Sequence, residues 1–289
     1  MELIAFLFGH DWVYWAVGKI NKRLKIVSSV FLTYPATPAY STYYVYSRRA
    51  KKNKWNPWLI GFFIQGGKIG VIFGINASDE DFYAKDNGKR MKEIYLRMEK
   101  IQILLSAPYK TFAGTLPGLF FARRLVREMP AEAKVTVTAV IEAIAKIREK
   151  EDLLGEPIII LGSKGFIGRQ VRESLQDEDV YPVDLGGNTW PMHLLGKKVL
   201  LVNITLSDVL EEYINAGKIW RGMAILNEVY PEPRQETLAL LNKIGCSIYH
   251  ISGMRGKSFP LFPAAYRGGI PCCAVVPSAA TEVIIKRIS

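Results

Sequence analysis

Apolar residues in this chain follow two rhythms, short unbroken runs and stripes recurring every three or four positions, and their alternation predicts its elements. Residues 25–32 form a run expected to be a strand, with a tyrosine- and proline-rich loop after it. Across 58–73 two runs flank Gln65-Gly66-Gly67-Lys68, whose glycine pair suits the tight turn of a hairpin. Over 91–105, Ile94, Leu96, Met98, Ile101 and Leu104 fall at helix-like intervals with charges between them. A longer helix is expected over 137–153. Val140, Ile141, Ile144 and Ile147 make its apolar stripe, Arg148, Lys150 and Glu151 stay in water, and Gly155 stops it.

Beyond Gly155 the two rhythms take turns. Strands are expected at 157–161, 181–184, 198–203, 223–226 and 246–250, with helices after Gly168, over 207–216, over 234–243 and, at the end, over 278–288. Strands alternating with helices predict an α/β fold: a Rossmann-like, doubly wound, mostly parallel sheet preceded by a smaller α/β domain and joined to it by a long helix. The expected boundaries are 1–136 for an N-terminal substrate or partner domain and 137–155 for the linking helix. Residues 156–275 are expected to form the dinucleotide-binding domain, and 276–289 a C-terminal helix packing back across the domains. No internal repeat or low-complexity tract interrupts this order.

The most specific pattern is Gly162-Ser163-Lys164-Gly165-Phe166-Ile167-Gly168, placed between an apolar run and a helical stripe. Asp184 closes the next run 22 positions after Gly162 (184 − 162). Strand, glycine turn, helix and acid at this spacing form the signature of a dinucleotide-binding βαβ unit. Gly162 permits the tight turn, Gly165 lets backbone approach a diphosphate, and Gly168 lets helix and sheet pack closely. The helix start offers N–H groups and a partial positive charge. An ordinary strand–turn–helix connection is the alternative. Asp184 would accept hydrogen bonds from a ribose and repel a 2′-phosphate, so NAD is expected, with NADP possible through Lys164 and Arg169.

At 289 residues and 49% hydrophobic content, the chain can bury two moderate cores. No apolar run reaches membrane-spanning length, and residues 1–8, apolar but short, are expected to be a first buried strand. Cys246, Cys272 and Cys273 have no metal-ligand spacing and no disulfide framework, and adjacent Cys272 and Cys273 are expected to be buried strand residues. A cytoplasmic protein is expected. The net charge of +11 is partly concentrated in Arg48-Arg49-Ala50-Lys51-Lys52-Asn53-Lys54, beside Tyr43, Tyr44, Tyr46 and Trp55. A solvated face is the preferred reading there and an acidic protein partner the next. Nucleic acid is disfavoured, since no zinc-finger, RNA-recognition or helix-turn-helix pattern supports it.

Three motifs carry a resemblance. Leu201-Val202-Asn203-Ile204-Thr205 resembles the asparagine–x–threonine strand end that lines the cofactor cleft of shikimate dehydrogenases. Asn227-Glu228-Val229-Tyr230-Pro231, followed by Thr237 and Leu240, is similar to that family's tyrosine–proline–threonine–leucine segment, with extra residues in between. Thr136-Val137-Thr138-Ala139-Val140-Ile141-Glu142 resembles the helix that starts the domain connection there, in methylenetetrahydrofolate dehydrogenases and in long-chain acyl–acyl carrier protein reductases. The order of parts is most similar to the reductases. The resemblance implies hydride transfer to or from a carbonyl or acyl compound in an interdomain cleft, with Asn203 and Thr205 beside the cofactor. The reductases' acyl-carrying cysteine would fall at Glu142 or Ala143, and the shikimate dehydrogenase lysine–aspartate pair has no counterpart motif. Ser41, Tyr44, Val45 and Arg48 approach the folate enzymes' catalytic pattern with arginine in place of its lysine, a group that stays charged and cannot shuttle protons.

Chemistry of that kind needs a proton donor or acceptor near the nicotinamide. Tyr230, after a strand on the cleft side, is the first candidate for substrate contact, and His250 is the candidate proton donor near neutral pH. Either side chain has an alternative reading as a structural residue. Gly253, with Gly256, is expected to bring a loop backbone close to the nicotinamide end. Arg48 and Lys51 are candidates to clamp an anionic small-molecule substrate. The chain therefore reads as an NAD(P)-dependent oxidoreductase, with association into an oligomer left open. The alternative is a non-catalytic protein that binds a dinucleotide or an acidic partner on the same scaffold.

Overall fold

The computed structural model describes residues 8–35, 53–184, 190–205, 208–230, 232–262, 266, 268–275 and 282–288. The chain divides into two compact units, Met1–Val135 with Met254–Thr281, and Thr136–Gly253 with Glu282–Ser289. In chain order the first contains α1 (Asp11–Leu24), β1 (Val27–Thr33), β2 (Trp58–Gln65), β3 (Lys68–Gly74), α2 (Asp79–Tyr83), α3 (Gly88–Leu105), β4 (Tyr109–Phe112) and α4 (Leu116–Ala122). Helix α5 (Ala131–Lys150) starts there and continues into the second unit. That unit adds β5 (Ile158–Leu161), α6 (Phe166–Ser174), β6 (Val180–Val183), β7 (Val199–Asn203), α7 (Asp208–Asn215), β8 (Met223–Asn227), α8 (Gln235–Ile244) and β9 (Ser247–Arg255). The chain then returns β10 (Lys257–Phe259) and β11 (Gly269–Ile270) to the first unit and ends with β12 (Val283–Arg287) in the second.

The first unit holds a mixed sheet in the order β10-β2-β3-β1-β4, with β1 parallel to both β3 and β4. The expected hairpin is β2–β3. Gln65 pairs with Lys68, and Gly66 and Gly67 both have positive φ (53° and 73°), the backbone a two-residue hairpin turn requires. One face of the sheet packs against α1 and α3 through Tyr14, Val30, Phe73, Met98 and Phe112. A Cβ on Gly18 would sit 1.9 Å from the Leu104 carbonyl oxygen, so α1 meets α3 backbone to backbone. Buried Asn21 locks that contact. Its amide donates to the carbonyls of Val27, Leu105 and Ser106 and accepts from the Val27 N–H at 2.7 Å.

In the second unit β6-β5-β7-β8-β9 are parallel neighbours in that order, and β12 pairs with β9. Strands β5, β7 and β8 are buried at every position, as expected of parallel strands covered on both faces. From β5 the chain moves outward to β6, then returns to place β7 on the other side of β5. The direction of winding therefore reverses between β5 and β7.

Several expectations change. The last segment is strand, not helix, over Val283–Arg287. Its Val-Ile-Ile run is β-branched, and the adjoining Ile288 N–H bonds the Ile248 carbonyl at 2.9 Å. The expected 156–275 domain loses residues 254–275 to the first unit. Helix α5 begins six residues before position 137 (137 − 131) and ends at Lys150. Cys272 and Cys273 form a half-buried 3₁₀ turn after Pro271 rather than a strand. The strand expected over 1–8 lies, but for Phe8, outside the described residues, as do Arg48 and Lys51. No helix among the described residues is long and apolar enough to cross a membrane.

Candidate functional site

The carboxyl ends of β5 and β7 flank the point where the winding reverses, which in open α/β sheets is where ligands bind. Gly162 ends β5 with φ +83°, and a Cβ there would lie 2.6 Å from the Thr205 methyl and 2.9 Å from the Ile204 carbonyl oxygen. At Gly168 a Cβ would approach the Gly162 carbonyl oxygen to 2.1 Å, so only glycine lets α6 pack this close to the turn. The Gly165 N–H closes the turn onto the Gly162 carbonyl at 3.0 Å. Gly165 is then the N-cap of α6, in extended conformation, and no side chain of the described residues caps the helix. Protein groups of that kind would otherwise compete with an anion for the first-turn amides. Phe166 and Ile167 open the helix, both half-buried.

Asp184, just past β6, bends back onto this turn. Its carboxylate accepts from the Ser163 hydroxyl at 2.7 Å and from the Lys164 N–H at 3.0 and 3.1 Å. A carboxylate has about four lone-pair directions, so Asp184 retains acceptor capacity for a further hydroxyl. Lys164 and Arg169 are exposed.

A second constellation lies on β7, β8 and β9, where Asn203, Asn227 and His250 stand in register, all fully buried. Asn203 Oδ1 accepts from the Thr205 N–H at 3.2 Å and from its hydroxyl at 2.6 Å. The Asn203 amide nitrogen donates to Asn227 Oδ1 at 2.8 Å. The Asn227 nitrogen in turn donates to the Val229 carbonyl at 2.8 Å and contacts His250 Nδ1 at 3.1 Å. Both ends of this row are chemically fixed, because a backbone N–H can only donate and a carbonyl can only accept. Both amide orientations follow, and His250 Nδ1 must be an acceptor. The imidazole proton is therefore on Nε2, which is buried without a hydrogen-bond partner among the described residues. The Ser252 hydroxyl, two residues on and so on the same side of β9, is also buried and has no hydrogen-bond partner among the described residues.

The role expected for His250 changes accordingly. Burial, with Lys286 acting the same way, pushes its pKa down from 6.5 to about 4, against an opposing pull from the Asn227 backbone. With that shift the ring is neutral at pH 7 and carries its proton on Nε2. His250 also lies inside β9 rather than at its end. Gly253, expected in a loop, continues that strand with φ +105°. Tyr230 is half-buried, three residues past the end of β8. The sequence reading missed Asn227 as the middle of the row. The signal was available, since Asn203 and Asn227 each end an apolar run, but polar strand ends are common.

Among the described residues no group of three or more His, Cys, Asp or Glu side chains could hold a metal ion. Comparison with protein-family models and with curated proteins returns no match for this chain.

Proposed function

We propose that the second unit is a Rossmann-like domain binding a nicotinamide dinucleotide, and that the protein is an NAD-dependent oxidoreductase acting on a small carbonyl or acyl compound. The observation that carries this reading is the turn at the winding reversal. Three glycines, two of them closed to any side chain by backbone or neighbouring atoms, open a helix that no side chain caps, and an acid from the next strand reaches the same turn. In the proposed complex the diphosphate lies against the start of α6, with Gly165 beside it. Asp184 keeps Ser163 and Lys164 in place while accepting an adenosine ribose hydroxyl, which favours NAD over NADP. Asn203 and Thr205 border the cofactor. His250 Nε2–H and the Ser252 hydroxyl supply donors for a carbonyl or carboxamide oxygen. Unpaired buried donors are costly, and a ligand oxygen would satisfy them. A neutral imidazole can polarise a carbonyl without transferring a proton.

The test is spectroscopic. NADH titrated into the protein should show changed nicotinamide fluorescence, and Gly165→Trp, folded by circular dichroism, should abolish the change. Unaltered binding by that variant would rule out the turn as the cofactor site.

One observation favours a second reading, a dinucleotide-binding or acidic-partner-binding protein without catalysis. With His250 held neutral, the histidine expected to move a proton is lost. Capture of an acidic carrier protein that weakens steeply with salt, together with no turnover of NADH by carbonyl compounds, would select it.

A further inference from the structure

Helix α1 is apolar on the wrong side for a helix of a self-contained domain. Its buried face is Tyr14, Gly18 and Asn21, fastened to α3 and to the start of β1 as described above. At about 100° per residue, Trp12, Lys19 and Arg23 point the opposite way, with Trp15 on the flank. Trp12 and Trp15 are 69% and 55% exposed, and Ile20 and Leu24, farther round the helix, are 59% exposed each. The neighbouring α3 repeats the pattern. Met91, Ile94, Met98, Ile101 and Leu105 are buried, while Leu96 and Ile103, seven residues apart and opposite that row, stay in water with Lys89, Lys92 and Lys100 around them, and with Glu93 and Glu99, which are paired with Arg90 and Lys110.

Scattered exposed apolar residues need no explanation, but six large ones on two adjoining helices, interleaved with cations, do. The helices run side by side in the same direction, since Asp11 pairs with Arg97 and Lys100 while Gly18 meets Leu104. Lys22 and Arg23 make no ion pair among the described residues, and Lys19 stands over the Trp15 ring at 5.2 Å. Among the described residues of the first unit, the anchoring of α1 leaves no reason for this outer stripe.

We propose that the outer face of α1 and α3 is a docking surface for an anionic phospholipid bilayer. The tryptophans enter the headgroup layer, Ile20, Leu24, Leu96 and Ile103 reach the acyl boundary, and Lys19, Lys22 and Arg23 face the lipid phosphates. Indole rings at the interface level, with lysines and arginines beside them, are the side chains that a lipid surface selects. A protein partner would favour fewer lysines at the contact. The chain's net charge of +11 acts in the same sense.

The full chain should pellet with vesicles of equimolar phosphatidylglycerol and phosphatidylcholine at low salt. It should not pellet with phosphatidylcholine alone, and about 0.5 M NaCl should release it. Trp12→Ser with Trp15→Ser, and separately Lys22→Glu with Arg23→Glu, should each weaken partition by about tenfold or more while thermal melting stays as in the parent. The proposal fails if anionic vesicles bring down no protein, or if both double variants pellet like the parent. It also fails if sedimentation velocity shows a dimer that the tryptophan variant dissociates while vesicles bind nothing. In that case the face belongs to a second copy of the chain.

Discussion

Two buried titratable groups should give this protein opposite pH responses, one in each unit. His250 has its pKa pushed down by burial from 6.5 to about 4. Between those values the unfolded chain binds a proton that the folded chain does not. Its contribution to stability is therefore complete above pH 6.5 and is lost as the pH falls to about 4. Over that interval, at about 1.4 kcal/mol per pH unit, the loss is roughly 3 kcal/mol. Glu132 works the other way. It is buried at the start of α5, accepts the Phe112 N–H at 3.2 Å, and has its carboxyl pushed up by burial from 4.5 to about 7. The folded state now holds the extra proton, so its contribution is complete below pH 4.5 and is lost, again by roughly 3 kcal/mol, as the pH rises to about 7. The two windows overlap between pH 4.5 and 6.5, where the parent protein should show a nearly flat profile if it unfolds as one cooperative unit. Asp11 titrates lower, at about 2, and stays out of this window. Urea unfolding at both ends of the window should separate the contributions. Glu132→Gln should become more stable as the pH rises, and His250→Gln less stable. Parallel profiles for the parent and both variants would refute the assignment of these groups as buried and shifted.

Two further outcomes bear on the turn. Gly168→Ala drives a methyl group into the Gly162 carbonyl, 2.1 Å away, and should cost about 1–3 kcal/mol in thermal or urea unfolding and abolish NADH binding. Asp184→Ala removes the acceptor for Ser163 and Lys164. It should shift the ratio of NAD to NADP dissociation constants by about tenfold toward NADP, measured by fluorescence titration, and an unchanged ratio would take Asp184 out of cofactor choice.

The second unit was the more legible half. Short β-branched runs such as Ile158-Ile159-Ile160, each bounded by glycine or a polar strand end, can be little other than buried parallel strands, and the helices between them carry clear stripes. The hairpin announced itself by two glycines that both need positive φ. Misreadings came where pattern and context part. The run at the C-terminus, Val283-Ile284-Ile285, fits a helix stripe as well as a strand, and its pairing with β9 decided the matter. Helix α1 was not foreseen because its large apolar residues Trp12, Trp15, Ile20 and Leu24 stay exposed while Tyr14, Gly18 and Asn21 are buried, so its apolar positions do not mark the buried side. Residues 254–275 leave the second unit because β10 pairs with β2, almost two hundred residues earlier in the chain, a contact no local rule reports. The glycine turn and Asp184 were readable from spacing. The hydrogen-bond row was not, since its meaning lies in which strands are neighbours.

That row has a corollary for how these strands tolerate change. Because one backbone donor and one backbone acceptor set the sense of every link between them, Thr205, Asn203, Asn227 and His250 behave as a single polarised device. Replacing Asn227 by aspartate would set an acceptor against His250 Nδ1 and move the imidazole proton to that nitrogen, whereas aspartate at 203 would set two acceptors against each other, because the Val229 carbonyl still holds the Asn227 nitrogen in place. Natural variants of this sheet edge should thus exchange these four positions jointly or leave them all alone.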